Sequence, residues 1–417
     1  LKTMHRSGPQ LGMTLSERLA IPFPLIDDHL LNLQQRMLVE VRGSSGHGRT
    51  AYTFDLTDAG KERAEGYLSR NRYVGPAPVP LESYSAWVER QSVSRIRVEP
   101  AAVRSALQDL VLPEATVESL GPAINSGRSI FLYGPPGNGK TAIAERLPRL
   151  MGDFIYVPYA VLVDGHIVVL HDPVHHIEAA TNPESASSSD AMSKILKNLE
   201  FDPRFAKVRR PAVMVGGELT LDQLDLQMDR ESLTHRAPFQ MKANGGLLII
   251  DDFGRQRMRP EELLNRWIVP LERRIDFLTL QSGTKFPIPF DALLVFATNL
   301  DPESLVEEAF LRRIQYKAAV PDPGRPDWER ILHDLCERRD VRVPPGAVDW
   351  VYDYVYGEMG IPPRACHPRD IVDHVEDRAL YLGVEPALVP ELLEPACTSY
   401  FSVFAHAYRM NTKGEIE

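Results

Sequence analysis

One eight-residue stretch, GPPGNGKT at residues 134–141, limits what this chain can fold into more than any other feature. It follows SIFLY at 129–133, a β-branched and aromatic run that predicts a buried strand, and it precedes AIAERL at 142–147, which predicts a helix. Glycines at such a strand-to-helix turn let the backbone wrap closely around an anion, and the start of the helix adds a positive partial charge. The stretch therefore predicts a loop that binds phosphate groups.

The last two residues of this loop carry the expected chemistry. Lys140 can reach the β- and γ-phosphates of a nucleotide as a positive charge, and the hydroxyl of Thr141 can bind Mg²⁺. A glycine-rich turn of purely structural origin would not need lysine and threonine at its end. The residues expected to contact the nucleotide are Gly134, Pro135, Pro136, Gly137, Asn138, Gly139, Lys140 and Thr141.

Composition sets outer bounds on the rest. A length of 417 residues predicts two or three domains, and a net charge of −10 argues against nucleic-acid binding by the whole surface. The three cysteines, Cys336, Cys366 and Cys397, are odd in number and far apart, which favours free thiols in a reducing cytoplasm over a disulfide framework. No apolar run approaches the roughly 18 residues that a membrane-spanning helix requires. We expect a cytoplasmic protein that does not insert into a membrane.

The first 75 residues are predicted to form a small separate domain. A helix is expected over 14–20, with Thr14 at its N-cap and Glu17 completing a capping box. An apolar pattern of helical spacing over 25–38, a turn-rich segment and an alternating strand at 52–56 follow. This order resembles a winged-helix domain.

Charge decides what such a domain would bind. The presumed recognition helix begins with Asp27 and Asp28, whose carboxylates would repel DNA phosphates, and only the wing, with Arg42 and Arg49, is mildly basic. We therefore expect a protein-docking or signal-sensing module more than a DNA-binding one. Residues 76–100 contain four prolines and are predicted to be a semi-rigid linker.

Acidic and amide side chains follow two further apolar runs. LLII at 247–250 predicts a buried parallel strand that ends in Asp251 and Asp252, and LLVFA at 293–297 predicts another that ends near Asn299. Asp251 would hold Mg²⁺, Asp252 would polarise the attacking water, and Asn299 would orient water or contact the γ-phosphate. A solvated acidic turn is the structural alternative for the aspartates, but a phosphate loop upstream requires such a partner.

These motifs, in this order, resemble the AAA+ ATPase superfamily over residues 101–410. Residues 134–141 resemble its Walker A motif, 247–252 its Walker B motif, and Asn299 its sensor-1 residue. The segments around 216–219 and 243–246 resemble the clade with a helix-2 insert, and 270–289 is similar to the hairpin before sensor 1. The resemblance implies an α/β fold: a P-loop core at 101–322 with a parallel sheet between helices, and a helical lid at 323–417.

The resemblance also implies roles for three arginines and an assembly. Arg313, with Arg312 as its rival, is similar to the finger that enters the site of a neighbouring subunit, and Arg369 is similar to sensor 2. A ring, most often a hexamer, is implied, with Mg-ATP as its ligand.

Residue 252 departs from the family pattern. Asp252 stands where glutamate is usual, and its side chain is about 1.5 Å shorter. We expect an ATP hydrolase that remodels a protein partner. The alternatives are a nucleic-acid-associated regulator that uses ATP as an assembly switch, and a scaffold that binds ATP but scarcely hydrolyses it.

Overall fold

The structure is a computed structural model that describes residues 1–152, 154–179, 202–301 and 312–414, the last twelve of these by their backbone alone. The chain divides into two compact units that interleave along the sequence. The first comprises Leu1–Ile96, Met151–Leu248 and Gln256–Leu293, and the second comprises Arg97–Leu150, Ile249–Arg255 and Leu294–Glu417.

The first unit begins with helices and a small antiparallel sheet. Phe54 is fully buried on the central strand and packs with Leu15, Leu30 and Ala64 from three of the helices. The apolar spacing of the sequence therefore produces a core of its own here. The elements are the helices Lys2–Ser7, Gly12–Leu19, Phe23–Gln35 and Asp58–Leu68, and the strands Gln10–Leu11, Val39–Ser44 and Tyr52–Leu56, the last lying between the other two.

The predicted capping box at Thr14 is wrong. The helix begins two residues earlier, at Gly12, with Leu11 as its N-cap and no side-chain cap. A Cβ atom at Gly12 would lie 2.5 Å from the Phe23 ring and 2.8 Å from the Arg49 carbonyl oxygen. Close packing at a glycine thus sets the start of this helix, and local capping chemistry does not.

The predicted proline-rich linker is also wrong for much of its length. Val79–Pro80 forms a short strand and Leu81–Arg90 a helix, with Pro80 at its N-cap. Val79, Tyr84 and Val88 are buried in the core of the first unit. Pro80 stands at the start of a helix, where proline is well tolerated, and not within a spacer.

Two hairpins in this unit agree with the sequence. Ala160–Val163 pairs antiparallel with His166–Val169 across Asp164 and Gly165, both of which have positive φ. Ile275–Thr279 pairs with Lys285–Pro289, as predicted for 270–289. The other elements are the strands Ile155–Pro158, Phe205–Val208, Ala212–Val215, Gln227–Asp229 and Thr234–Arg236, and the helices Phe239–Lys242 and Pro260–Arg273.

The second unit is built on parallel strands. Ile130–Tyr133 pairs in parallel with Leu293–Thr298 on one side and with Tyr316–Ala319 on the other. Leu247–Ile250 lies next to Leu293–Thr298 and is completely buried. Since the carboxyl ends of parallel strands meet at one edge, the residues that follow these strands come together there. The helices Pro100–Ala106, Glu114–Ser126 and Lys140–Arg146 complete this α/β part.

The rest of the second unit is helical and has its own core. Trp328, Val355, Val375 and Phe401 are buried together in it. Its elements are the helices Arg325–Arg339, Ala347–Val351, His367–Leu382 and Pro390–Gly414, with a π-helical segment at Tyr352–Glu358. In the part of the chain that the structure describes, none of the helices combines the length and the apolar character needed to span a bilayer.

Candidate active site

The loop at 134–141 requires glycine at two positions because of its surroundings. Gly134 has φ of 141°, and a Cβ atom there would lie 2.3 Å from the Val320 carbonyl oxygen. Gly137 has φ of 82°, and a Cβ atom there would lie 2.6 Å from Cys366 Sγ. The loop passes directly into the helix Lys140–Arg146. The backbone thus adopts a shape that side chains at these positions would prevent.

Lys140 lies folded over this loop. Its Nζ donates hydrogen bonds to the carbonyl oxygens of Gly134, at 2.9 Å, and Pro135, at 2.7 Å. Burial lowers the pKa of this ammonium to about 8, and the nearby Asp252 carboxylate opposes that shift. The charge is therefore held within the loop, where an anionic ligand would stabilise it.

The turn that carries Asp251 and Asp252 is held in place by the buried residue that follows it. Phe253 follows them and is 1% exposed, and its ring packs edge-on against Phe131, at 6.0 Å, and Phe296, at 5.1 Å. Its backbone N–H donates to the Ala297 carbonyl, and its own carbonyl accepts from Thr298 Oγ1. Burial of this ring positions the carboxylates at the carboxyl-terminal edge of the sheet.

Thr141 and Asp251 meet at that edge. Thr141 Oγ1 donates to the Asp251 carboxylate, at 2.9 and 3.1 Å from its two oxygens. A hydroxyl and a carboxylate are hard oxygen ligands of the kind that Mg²⁺ prefers, and Mg²⁺ binds through few protein ligands when phosphates supply others. This donor set fits the ion, and Thr141 and Asp251 are the residues that would hold it.

Asp252 and Asn299 form a second pair. Asn299 Nδ2 donates to Asp252 Oδ1 at 2.9 Å, and the backbone N–H of Asp252 donates to Asp251 Oδ1 at 3.0 Å. Asp252 has φ of 47°, in the left-handed region where aspartate and asparagine are several-fold enriched over other residues. This backbone conformation gives a physical reason for aspartate at a position where the family pattern has glutamate.

These groups line one cleft of about 710 Å³ in the second unit. The segment 108–112 forms one wall. No sequence pattern indicated a second wall from the helix Arg325–Arg339, because its residues there are ordinary helix-surface types. The lining residues outside 108–112 are Gly137, Asn138, Gly139, Lys140, Thr141, Ala142, Asp251, Asp252, Ala297, Asn299, Ile331, Asp334, Glu337, Arg338, Ala365, Cys366 and Arg369.

The three predicted arginines lie in different places. Arg369 lines the cleft, and its guanidinium donates to the Asp370 carboxylate at 3.0 and 3.1 Å. Arg312 and Arg313 are absent from the described lining of the cleft; Arg312 is exposed and Arg313 is partly exposed. A finger that serves the site of a neighbouring subunit would need such a position.

His367 begins the helix that carries Arg369 and is 6% exposed. Its Nδ1 accepts hydrogen bonds from the hydroxyl of Tyr356, at 3.1 Å, and the backbone N–H of Arg364, at 3.2 Å. Burial lowers the pKa of this imidazole to about 4, and Asp370, Arg364 and Asp322 make smaller contributions of mixed sign. The ring is therefore neutral at physiological pH.

Two comparisons with known proteins match parts of the sequence. A family model described as a domain of unknown function (DUF8689) matches residues 324–399, the helical part of the second unit. A stretch of 55 residues is 40% identical to the type IV methyl-directed restriction enzyme EcoKMcrB subunit of Escherichia coli K12, covering 13% of this chain and 12% of that protein.

Solved structures resemble the chain over a larger part of its length. NtrX from Brucella abortus in complex with ADP has a TM-score of 0.40 at 14% identity, over 80% of this chain and 60% of that one. A RuvB mutant from Thermotoga maritima has a TM-score of 0.37 at 13% identity, over 74% of this chain and 72% of that one. The chain thus spans less than two thirds of the NtrX and McrB chains.

The motifs occur along the chain in the order of the AAA+ superfamily, and the structure brings the loop, both aspartates, Asn299 and Arg369 to one cleft at the carboxyl edge of a parallel sheet. A helical region with its own core follows that sheet in the chain. The α/β core of the second unit, followed by this helical region, is similar in motif order and arrangement to the P-loop fold of the AAA+ ATPases.

Proposed function

We propose that this chain binds ATP with Mg²⁺ in the cleft and hydrolyses it. One observation carries the proposal: Lys140, the Thr141–Asp251 pair and the Asp252–Asn299 pair converge at one sheet edge although they come from three distant parts of the chain. The five groups are those that phosphoryl transfer to water requires, namely a cation for the phosphates, oxygen ligands for a metal ion, and a carboxylate beside a polar group for the water.

Each side chain has a distinct task in this mechanism. Lys140 exchanges its two bonds to loop carbonyls for bonds to β- and γ-phosphate oxygens and neutralises their charge. Asp252 accepts a hydrogen bond from the attacking water, while Asn299 holds that carboxylate in place. Mg²⁺, which Thr141 and Asp251 would hold, would supply further positive charge to stabilise the phosphates. Water adds to the γ-phosphorus while Asp252 accepts its proton, the bond to the bridging oxygen breaks, ADP and phosphate leave, and Asp252 then releases the proton to solvent.

Replacing Lys140 by alanine tests the site directly. We expect Lys140→Ala to abolish binding of a fluorescent ATP analogue, because the remaining loop offers backbone N–H groups but no full positive charge. Lys61→Ala, which removes an exposed lysine of the first unit, is the control and should bind normally. Full ATPase activity in Lys140→Ala would exclude this cleft as the site of hydrolysis.

The proposal extends to a ring, most simply a hexamer, in which Arg313 or its neighbour Arg312 completes the site of the next subunit. Such an arginine contributes about 10³- to 10⁵-fold to turnover in related chemistry. Mixing Arg313→Ala subunits with Asp252→Asn subunits should restore activity, since some interfaces then combine an intact arginine with an intact cleft. Mixtures that stay inactive, although both variants assemble, would place the arginine within its own subunit or exclude it.

We further propose that the ATP cycle remodels a protein partner in the cytoplasm, with the winged-helix-like residues 1–75 as adaptor. Both arginines of the wing are paired with carboxylates and therefore attract DNA phosphates only weakly. Arg42 Nε lies 2.8 Å from the Asp55 carboxylate, and Arg49 Nε lies 2.6 Å from Asp27. Three described cysteines without disulfides are consistent with a reducing compartment.

Two experiments separate this role from its alternatives. A protein that co-purifies with an ATP-trapped Asp252→Asn assembly would support remodelling. A DNA gel shift that is salt-sensitive and is lost in the Arg42→Ala/Arg49→Ala variant would instead support the nucleic-acid regulator. A chain that binds ATP but turns over less than about once per hour, far below the usual range of about 1–10³ s⁻¹, would be the scaffold.

A further inference from the structure

We propose that Asp322 is a positioning residue that fastens the phosphate loop to the segment carrying Arg369, so that the loop and Arg369 act as one unit in ATP turnover. The inference rests on the proposed ATPase activity and adds to it residues that have no place in the motifs. Asp322 and Arg364 are not among the described residues that line the cleft, so each acts through a neighbour.

The first step is the side chain of Asn138. Although it belongs to the phosphate loop, Asn138 is 3% exposed and uses both ends of its amide inside the protein. Its Nδ2 donates to Asp322 Oδ1 at 2.7 Å, across 184 positions of sequence. Its Oδ1 accepts from the backbone N–H of Ala365 at 3.0 Å. One loop side chain therefore bonds both to Asp322 and to the segment that precedes the helix His367–Leu382.

The second step is Arg364. Its Nη1 donates to the same Asp322 oxygen at 2.9 Å, and its side chain is only 12% exposed. A carboxylate that accepts from an amide and a guanidinium at the same oxygen makes charge-assisted bonds, which are stronger than neutral ones and weakly screened when partly buried. Asp322 thus joins the loop and the segment 364–366 at a single atom.

The third step is the van der Waals contact between Cys366 and Gly137. Cys366 Sγ lies so close to Gly137 that a Cβ atom at the glycine would be 2.6 Å from it. The segment 364–366 therefore lies directly against the loop. Because closely packed side chains have few alternative positions, we expect a shift of the loop to shift the segment.

The segment is connected to Arg369 by a helix. His367–Leu382 begins one residue after Cys366, and Arg369 stands in its first turn, facing the cleft. Hydrogen-bonded helical backbone transmits displacement with little loss over one turn, which is about 5.4 Å long. Phosphate binding to the loop would in this way set the position of the Arg369 guanidinium.

A double-mutant cycle tests the inference. We expect Asp322→Ala to lower kcat for ATP by about 10- to 100-fold, the effect of a small misplacement of a catalytic group. Asp322→Asn keeps an oxygen acceptor for Asn138 and Arg364 and should recover most of that loss. In an Arg369→Ala background, Asp322→Ala should change kcat by less than about twofold, because the group that it positions is already absent.

The control is Arg339→Ala, which removes another ion-paired arginine of the helical region, bonded to Asp373 and Glu376 and outside the described lining of the cleft. It should alter thermal unfolding without the kcat effect. If Asp322→Ala does not fold, Arg364→Gln takes its place in the same cycle.

Three results would overturn the inference. These are an unchanged kcat in Asp322→Ala, a loss that is fully additive with Arg369→Ala, and an equal kcat loss in Arg339→Ala. An inactive wild-type chain would instead refute the ATPase proposal on which the inference rests, so the two failures are distinguishable.

Discussion

Replacing Asp252 by asparagine removes one negative charge from the cleft and changes little else. The asparagine amide has the same shape, and its oxygen can still accept the hydrogen bond from Asn299 Nδ2 that spans 2.9 Å in the structure. Asparagine also tolerates the left-handed backbone conformation of this position, where φ is 47°. The variant therefore isolates the charge of the carboxylate from its structural role.

The expected magnitudes follow from these contacts. With the hydrogen bond and the backbone conformation preserved, the free energy of unfolding should change by less than about 0.5 kcal/mol, as for an ordinary surface substitution. Loss of a group that accepts a proton in the transition state costs about 10²- to 10⁴-fold in rate. ATP affinity should stay equal or rise, because one of two adjacent carboxylates no longer repels the phosphates.

Three measurements on purified protein check the prediction: phosphate release at saturating ATP, binding of a fluorescent nucleotide, and urea unfolding without nucleotide. Asp164→Asn is a matched control, since Asp164 also has φ of 47° but lies in a hairpin of the first unit. Asp252→Ala should by contrast lose about 1 kcal/mol or more of stability, since alanine fits the left-handed region poorly and leaves Asn299 without its acceptor. Turnover in Asp252→Asn within twofold of wild type would refute the assignment of Asp252 to water activation.

Two further predictions concern the surroundings of the loop. Gly137→Ala should destabilise the nucleotide-free protein by about 2–4 kcal/mol in urea unfolding, because backbone strain adds to steric overlap with Cys366. In the control Gly139→Ala, φ is 86° but the nearest neighbour is 4.0 Å away, so we expect only the strain, about 1–2 kcal/mol. Equal losses of stability in the two variants would refute the overlap. Burial lowers the pKa of folded His367 to about 4, whereas the imidazole of the unfolded chain has a pKa near 6.5. Its contribution to the free energy of unfolding is therefore complete above pH 6.5 and falls by up to about 2 kcal/mol on going to pH 5. His367→Gln should remove that part of the pH dependence, while His176, whose pKa burial also lowers to about 4, keeps its own; identical pH profiles for wild type and variant would contradict the reasoning.

Much of the local structure around the candidate site could be predicted because it depends on short contiguous stretches of sequence. A strand, a glycine turn and a helix follow one another at 129–147, so local rules were sufficient to predict this strand–loop–helix arrangement. The strand before Asp251 is an unbroken apolar run, which only a buried parallel strand explains well. The Asp-Gly hairpin at 164–165 rests on a preference of two residues for positive φ.

The errors have one cause. Thr14 had the local chemistry of a helix cap, but packing of Gly12 against Phe23 set the helix start. Prolines at 76–100 had the composition of a spacer, but burial of Val79, Tyr84 and Val88 made the segment part of a core. Local preferences are worth about 1 kcal/mol each, and burial of a few large apolar side chains outweighs them.

By itself, the sequence determined the strand–loop–helix at 129–147, the buried strand that ends in two carboxylates and the α/β class, because each depends on the periodicity and stereochemistry of neighbouring residues. Tertiary structure alone decided that Asn138 turns inward to Asp322 and Ala365, and that the helix Arg325–Arg339 forms a second wall of the cleft. Those contacts join residues up to 227 positions apart. Their energy depends on distance in space and on exclusion of water, which no local pattern encodes.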